Sequence, residues 1–346
     1  MVEKALSEAV KHKALELGYD ACGIADATDF EEYLLELARR SALFPESKRL
    51  YDWLERLARP RAVFEWARSL VVCARRYNRY RLPDGLKGRF GKVYVFDGRL
   101  PGSNEHAAAT AFEAFLQENG MQAKNTDPVA ATTRLTAVRA GLGRIAKNNF
   151  LYTKYGSWQW LDVWAVDKEL TPDEPLKKTS LCPDGCTRCI DACPTKALQA
   201  PNTMNMGACI AYLSYSLRDL PSEDRRSQMG EWLYGCDVCQ DVCPMNERKW
   251  KEGETFPGLD ALASVATLEN IFQMDEISYK TVLQPWFWYI KPEAQWIWRA
   301  SSIRAMANSG KEEYREYIDA ACNDSDARVR EMGLWAKQRV THARED

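Results

Sequence analysis

The stretch CPDGCTRCIDACP, residues 182–194, is decisive because it holds four closely spaced cysteines and ends in Cys-Pro. A second block, CDVCQDVCP at residues 236–244, repeats the pattern with three cysteines, and Cys209 lies between the blocks. A 4Fe-4S cluster needs four thiolates, and two-cluster ferredoxins take three from one run and the fourth from the Cys-Pro of the other. The pattern predicts two clusters, held by a first thiol set (Cys182, Cys186, Cys189 and Cys243) and a second thiol set (Cys193, Cys209, Cys236 and Cys239).

Structural zinc is the main alternative, but zinc sites usually pair two close cysteines with a second pair or with histidines about twelve to twenty residues away. Disulfide frameworks are typical of small secreted proteins. The pattern has two irregularities. The first gap has three residues where ferredoxins usually have two, and Cys209 lies 27 residues before Cys236. Gly185 would absorb the extra residue, and the long interval indicates an insertion.

Composition is that of a cytoplasmic redox protein. The 346 residues are 46% hydrophobic, which is enough for two or three cores. No apolar run approaches the ~18 residues of a membrane span, and the amino terminus lacks the pattern of an export segment. We therefore expect no membrane partner. The net charge of -2 gives no global electrostatic attraction for nucleic acid.

Changes in residue pattern along the chain predict three domains. Residues 1–175 alternate helical and strand patterns: helices over residues 2–17, 30–40 and 105–119, and strands over residues 21–25, 69–74 and 158–166. They form an α/β domain that ends at the Pro-rich segment 171–175. Residues 176–255 carry the cysteines, and residues 256–346 are mostly helical. Cys22, Cys73 and Cys322 are left over and have apolar neighbours, so we expect them to be packing residues.

The front domain lacks a familiar cofactor motif. It has neither G-x-G-x-x-G after a strand nor a Walker loop, and Gly141-Leu142-Gly143 is too short to indicate a dinucleotide site. The residues alone leave two classes of function open. One is a reductase that is fed by the clusters, and the other is a non-catalytic electron-transfer protein.

Several segments resemble the epoxyqueuosine reductases. They are LGYDACGIA at 17–25, RAGLGRI at 139–145, CIAYL at 209–213, YGCDVCQDVCPMN at 234–246 and DSDARVRE at 324–331. The resemblance implies an α+β, multidomain protein with a nitroreductase-like cobalamin-binding domain over 1–175. A ferredoxin-like domain with two 4Fe-4S clusters would cover 176–255, and a HEAT-like helical domain 256–346.

The resemblance also implies an activity. Members of the family bind cobalamin, receive electrons through two 4Fe-4S clusters and reduce epoxyqueuosine at the wobble position of tRNA, and they are related to cobalamin-dependent reductive dehalogenases. The implied partners are tRNA and a low-potential electron donor such as flavodoxin or ferredoxin, and we expect a monomer. A paralogue that reduces another small molecule is the alternative within this class.

The family's proton donor is an aspartate that opens an Asp-x-x-Pro segment, and this chain departs from that pattern. The equivalent stretch runs from Asn125 to Val129. Matching the proline aligns Asn125 with the acid, whereas matching the distance to Gly141 aligns Asp127. We favour Asp127, because a general acid needs an ionisable group. An ordinary turn aspartate before proline is the alternative interpretation.

The resemblance suggests six contacts to the corrinoid: Arg139, Gly141, Gly143, Arg144, Lys147 and Tyr212. Cations and backbone amides around the glycine turn would meet its phosphate and amide tail, although solvated loop charges are the alternative. Tyr212 would approach from the cluster side, or else pack beside a cluster.

Two features of the carboxyl-terminal region bear on tRNA. The basic residues Arg328, Arg330, Lys337 and Arg339 would contact phosphates, but nearby glutamates almost balance them. The tryptophans at 286, 288, 296 and 298 either stack on an unpaired base or form an interdomain seam.

Overall fold

A computed structural model describes residues 2–126, 132–177, 181–216, 218–251 and 253–342. In the front part the elements are α1 (Val2–Glu16), β1 (Ala21–Asp26), α2 (Glu31–Leu43), α3 (Lys48–Leu54), α4 (Pro60–Val63), β2 (Ser69–Arg76), α5 (Lys92–Val95), α6 (Asn104–Glu118), β3 (Ala123–Asn125), α7 (Thr133–Arg139), β4 (Arg144–Ile145), β5 (Leu151–Tyr152) and β6 (Gln159–Val166). The helices and strands predicted for this part are confirmed. Gly120, with a φ of 72°, follows the end of α6 in the left-handed conformation that suits glycine after a helix.

The front part is built on a four-stranded sheet in the order β1-β2-β6-β3. Every neighbouring pair is antiparallel, and β2 pairs with β6 along its whole length. The fold is therefore α+β, as the resemblance implied. A separate two-stranded hairpin joins β4 to β5.

Helices cover both faces of this sheet. Val71 and Cys73 pack in a cluster with residues of α1 and α6, whereas Leu70 and Val72 pack in a second cluster with residues of α7. Because side chains alternate between the faces of a strand, the middle of β2 needs apolar residues at successive positions. That requirement explains its continuous apolar run. The leftover Cys73 is fully buried, and its cross-strand partner is the half-buried Cys22.

The cysteine-bearing part consists of short elements: α8 (Arg188–Asp191), β7 (Leu198–Ala200), β8 (Thr203–Met204), α9 (Ile210–Tyr215), α10 (Glu223–Gln228) and α11 (Val238–Asp241). The β7-β8 hairpin and the turn after it are tied to the front part. Tyr51 donates a hydrogen bond to the carbonyl of Met204 at 2.8 Å, and the Ser47 hydroxyl donates to the Asn205 side chain at 2.7 Å.

The last part is helical, as predicted: α12 (Leu259–Val265), α13 (Leu268–Gln273), α14 (Glu276–Ser278), α15 (Trp296–Ser309), α16 (Arg315–Ala321) and α17 (Ala327–His342). The central helix α15 is buried along most of its length and packs against α13 and α17. Among the helices that the structure describes, none combines the length and the apolar character needed to cross a bilayer.

Aromatic rings from all three parts meet in one core, which we call the aromatic seam: Phe90, Tyr234, Phe287 and Trp298. The rings of Tyr234 and Trp298 stack with centroids 5.6 Å apart, and those of Phe90 and Phe287 with centroids 5.0 Å apart. All four side chains are buried. Of the two interpretations of this tryptophan-rich stretch, the interdomain seam is therefore correct for Trp298.

Candidate redox site

The first thiol set surrounds a small cavity. All four of its cysteines line a space of only about 10 Å³, together with Ala146, Lys147 and Asn148. Cys189 and Cys243 are buried, and the other two are half-buried. Gly185 has a φ of 68° and so accommodates the extra residue of the first gap in a conformation that suits glycine.

All four cysteines of the second thiol set are half-buried. Burial raises the pKa of the Cys209, Cys236 and Cys239 thiols, and neighbouring thiols of the same set raise the pKa of each further. Backbone N–H groups of Ala211 and Tyr212 offset part of this rise at Cys209. The fourth member, Cys193, interacts electrostatically with all three. Each Cys-Pro cysteine thus lies with the other block, which is the crossed arrangement of a two-cluster ferredoxin.

Neither set converges on a point. In the described ranges, no three His, Cys, Asp or Glu side chains are close enough together to hold a single metal ion. In the first set the thiols line the wall of a cavity instead.

A much larger cavity, of about 810 Å³, lies between α2, α7 and the β7-β8 hairpin. Its volume is near the upper end of the range for cofactor sites. Its lining includes Tyr33, Arg40, Thr132, Arg134, Leu135, Val138, Arg139, Ile145, Asn149, Asn202, Met204 and Met206. It therefore lies between the front part and the cysteine-bearing part.

Asn149 gives this cavity a polar wall with an unused donor. Its backbone lies in the left-handed region, with a φ of 65°, which asparagine tolerates better than most residues. Its side-chain oxygen accepts a hydrogen bond from Arg40 at 3.0 Å. Within the described residues, its buried Nδ2 has no hydrogen-bond partner. A buried donor left in this way is costly unless a ligand or water satisfies it.

Arg134 adds positive charge to the same wall. Its guanidinium donates to the backbone carbonyl of Asn149. The side chain is accessible from the cavity, yet protein atoms surround it, and this desolvation lowers the pKa of Arg134. The wall therefore offers hydrogen-bond donors and a cation to whatever fills the cavity.

One turn, residues 147–150, connects the large cavity to both thiol sets; we call it the junction turn. Lys147 donates from Nζ to the Cys186 carbonyl at 2.8 Å, and Asn148 donates from Nδ2 to the Cys239 carbonyl at 3.0 Å. The next residue, Asn149, lines the large cavity. Three successive side chains thus contact a loop of the first set, a loop of the second set and the cavity.

The β7-β8 hairpin provides a second connection. Met204 and Met206 line the large cavity, and the one-turn helix that begins at Met206 leads directly to Cys209. The Cys209 N–H donates to the Met206 carbonyl at 3.1 Å. The second thiol set is therefore only one helical turn away from the cavity wall.

Comparison with known proteins agrees with this geometry. A family model described as a 4Fe-4S double cluster binding domain matches residues 182–246. The epoxyqueuosine reductase of Cyclobacterium marinum is 32% identical over 266 residues, which cover 73% of this chain and 84% of that protein. The chain belongs to the epoxyqueuosine reductase family. It is an oxidoreductase of that type with a domain for two 4Fe-4S clusters.

Two further relatives extend the match over nearly the whole chain. The epoxyqueuosine reductase of Prochlorococcus marinus is 30% identical over 316 residues, covering 82% of this chain and 95% of that protein. A crystal structure of epoxyqueuosine reductase with an epoxyqueuosine-modified tRNA-Tyr stem loop has a TM-score of 0.78 and 25% identity. The structural match covers 97% of this chain and 90% of the chain in that crystal structure.

Of the six contacts suggested from the family resemblance, Arg139 lines the large cavity. Its guanidinium is largely occupied, because it bonds to Asp26 and to the carbonyls of Thr28 and Asp29. It also stacks 3.7 Å from the centre of the Phe30 ring. Burial lowers the pKa of Arg139. Its side chain therefore mainly fixes the segment that leads into α2.

Lys147, Arg144 and Tyr212 lie elsewhere. Lys147 lines the cavity of the first thiol set. Arg144 is the first residue of β4. Tyr212 packs in a small group of hydrophobic side chains that includes Leu213 and Cys236. Tyr212 thus packs beside Cys236 of the second thiol set, and the choice between its two interpretations stays a prediction.

Gly141 and Gly143 make close backbone contacts within the protein. Gly141 has a φ of 71°, and a Cβ atom there would lie 2.5 Å from the Glu174 carbonyl oxygen. A Cβ atom at Gly143 would lie 2.5 Å from the Tyr152 carbonyl oxygen. The glycines of the family's Ala-Gly-Leu-Gly motif therefore serve packing in this chain.

Gly143→Ala should consequently destabilise the fold by about 1 to 3 kcal/mol, as expected for overpacking against backbone that cannot yield easily. The measurement is the free energy of unfolding from denaturant titration. Gly85→Ala is the matched control, because a Cβ atom there meets only the Ala263 carbonyl oxygen, at 3.8 Å. Equal loss of stability in both variants would contradict the packing role of Gly143.

Asp127 lies outside the described residues. Asn125 ends β3, where its backbone N–H donates to Glu113 at 3.1 Å and its Cα pairs with that of Trp164. Thr132 lines the large cavity. The choice between Asn125 and Asp127 therefore stays a prediction.

The basic residues considered for tRNA all have partners. Arg328 pairs with Asp326 and lies 3.9 Å from the centre of the Trp296 ring, and Lys337 pairs with Asp319 at 2.7 Å. Arg339 donates to Ser227, and Arg330 to backbone carbonyls. Arg328 and Lys337 are therefore paired with carboxylates, whereas Arg330 and Arg339 are hydrogen-bonded to neutral groups.

Proposed function

We propose that this chain reduces epoxyqueuosine to queuosine in tRNA, using cobalamin in the large cavity and a 4Fe-4S cluster on each thiol set. The observation that carries the proposal is the junction turn, whose successive side chains contact both thiol loops and the cavity. The crystal structure of a relative with a modified tRNA stem loop supports the substrate class. We also propose the domain boundaries 1–175, 176–255 and 256–346.

The thiol sets fit iron-sulfur clusters chemically. Each offers four cysteines, and desolvation by the surrounding protein raises the pKa of Cys209, Cys236 and Cys239 in the absence of metal. Coordination deprotonates a thiol, so binding of iron would release protons from these sites. The carbonyl contacts of Lys147 and Asn148 would hold the ligand loops in place.

The large cavity fits a corrinoid. Its volume suits a large cofactor, and the unused Nδ2 of Asn149 and the guanidinium of Arg134 suit amide and phosphate oxygens. Bound clusters and cobalamin would supply the two electrons that loss of the epoxide oxygen as water requires. Leu135, Val138 and Met206 would keep water away from the reacting centre.

The remaining requirement is a proton for the departing oxygen. Two C–O bonds break, and two protons and two electrons convert the epoxide to an alkene and water. We assign the first proton to Asp127, because it is the ionisable side chain at the spacing of the family's acid. The partners we propose are tRNA and a low-potential donor such as flavodoxin or ferredoxin.

The test uses the whole chain, purified without oxygen. Iron, sulfide and corrinoid contents are measured, and the holoprotein is then incubated with a low-potential reductant and tRNA that carries epoxyqueuosine. Nucleoside analysis by mass spectrometry should show conversion to queuosine. Corrinoid binding without conversion would point to a different small-molecule substrate. Clusters without any uptake of corrinoid would point to an electron carrier.

Filling the large cavity should abolish corrinoid binding without loss of iron. Val138→Trp places a bulky ring on the wall formed by α7, so the affinity for cobalamin should fall at least about tenfold, the equivalent of about 1.4 kcal/mol. Leu35→Trp on α2 is the control, because Leu35 is 73% exposed and does not line the cavity. Equal binding by both variants, measured by equilibrium dialysis, would place the corrinoid elsewhere.

A further inference from the structure

Lys92 begins α5 on a segment of the front part that docks against the second cysteine block. The Gly91 N–H donates to the Tyr234 carbonyl at 2.7 Å, and the Leu233 N–H donates to the Arg89 carbonyl at 2.7 Å. A Cβ atom at Gly91 would lie 3.2 Å from the backbone nitrogen of Cys236. The main chain beside Lys92 therefore touches a residue of the second thiol set.

The Lys92 ammonium group is held in a nearly closed site. Only 16% of the side chain is exposed, and Nζ lies 3.3 Å from Asp237 Oδ2 and 2.7 Å from Asp241 Oδ1. It also lies 4.6 Å from the centre of the Trp158 ring and 5.7 Å from that of Trp250. Burial by itself lowers the pKa of Lys92, but the two carboxylates outweigh it and leave the pKa raised. Lys92 is therefore positively charged at neutral pH.

The two carboxylates lie between cysteines of different sets. Asp237 lies between Cys236 and Cys239, and its side chain is only 3% exposed. Asp241 lies between Cys239 and Cys243, the second of which belongs to the first thiol set. One mostly buried cation is thus paired with a buried acid, Asp237, and with Asp241, whose side chain is 45% exposed. Together the two acids flank proposed ligands of both clusters.

Net charge is one of the factors that set the potential of an iron-sulfur cluster, together with hydrogen bonds to sulfur and exposure to solvent. Reduction adds a negative charge, so a nearby cation favours the reduced form. The interaction is stronger in a buried site than in water, because the effective dielectric constant is lower. An exposed lysine at a similar distance is screened by solvent and salt.

We propose that Lys92 is a tuning residue that raises the reduction potentials of both clusters and so keeps them reducible by the donor. The inference rests on the cluster assignment of the proposed function. Lys92 acts through its fixed charge, and it contributes neither a ligand nor a proton to the reaction. Asp241 acts in the opposite direction, because it places negative charge beside the same cysteines.

The experiment is a redox titration of the reconstituted holoprotein, followed by electron paramagnetic resonance and absorption. In Lys92→Gln the ratio of reduced to oxidised cluster at a fixed potential should fall by about tenfold, or about 59 mV for one electron. Asp241→Asn should shift the ratio the other way, and Lys92→Arg should stay near the wild type. Lys87→Gln is the matched control, since Lys87 lies on the same segment and pairs with Asp84 of that segment.

Opposite shifts in Lys92→Gln and Asp241→Asn support the proposal. A shift in the same direction, or one no larger than that of Lys87→Gln, overturns it. If Lys92→Gln fails to retain iron, the Asp241→Asn titration alone tests the proposal. The proposal is then overturned if the ratio of reduced to oxidised cluster in Asp241→Asn does not rise. Opposite shifts in a protein that leaves epoxyqueuosine unchanged would refute only the proposed substrate. Turnover without shifts would refute only the role of Lys92.

Discussion

Cys243→Ala is expected to remove the cluster of the first thiol set, although Cys243 belongs to the second cysteine block. Iron should fall from about eight to about four atoms per chain, because a 4Fe-4S cluster needs four thiolates. Reduction of epoxyqueuosine should fall to background if both clusters are needed to carry electrons. Iron and sulfide analysis and electron paramagnetic resonance measure the loss.

The reciprocal variant sharpens this test. Cys193→Ala lies in the first block but should remove the cluster of the second thiol set, so the two variants should retain spectroscopically different clusters. Cys22→Ala is the control, because Cys22 is a half-buried thiol in β1. If each variant instead lost the cluster of its own block, the crossed assignment would be wrong.

Asp127→Asn is expected to reduce the rate of epoxide reduction about 100- to 10,000-fold, the contribution usual for general acid catalysis. Iron content and corrinoid binding should stay at wild-type levels, because the change removes a proton donor and keeps the size of the side chain. Single-turnover kinetics with the prereduced holoprotein measure the chemical step without interference from electron delivery.

Asn125→Ala is the companion variant, since Asn125 is the other residue that aligns with the family's acid. Its backbone is fixed in β3, and we expect turnover close to that of the wild type. A large loss in Asn125→Ala with little effect in Asp127→Asn would reverse the assignment. Equal activity in both variants would mean that another group supplies the proton.

The thiol groupings could be predicted from sequence because ligand spacing within each block is a local property, and because the Cys-Pro cysteine of two-cluster ferredoxins binds the other cluster. Strand β2 was equally predictable, since it is buried on both faces and its middle is an apolar run. The large cavity was not predictable in this way. Its wall depends on contacts between segments far apart in the chain, such as those of Arg40 with Asn149 and with the Asn202 carbonyl.

Asn149 shows what the sequence analysis missed. An Asn-Asn pair between two short strands is a turn signal, and asparagine in a turn commonly adopts a positive φ. That signal predicts the local backbone, but it does not indicate that α2 and the β7-β8 hairpin close over the same residue. The glycine motif has a packing role that was not predicted, because Gly141 and Gly143 make close contacts within the chain. Their contact with the corrinoid stays a prediction.

The aromatic seam limits how this molecule can be divided. Tyr234 lies two residues before Cys236 and stacks on Trp298, which belongs to the last part of the chain. Truncation before the last helices would expose a large apolar surface beside the cysteines and favour aggregation. The cysteine-bearing part therefore cannot be transferred to another enzyme by itself. The helices of the last part that pack against it would have to be transferred with it.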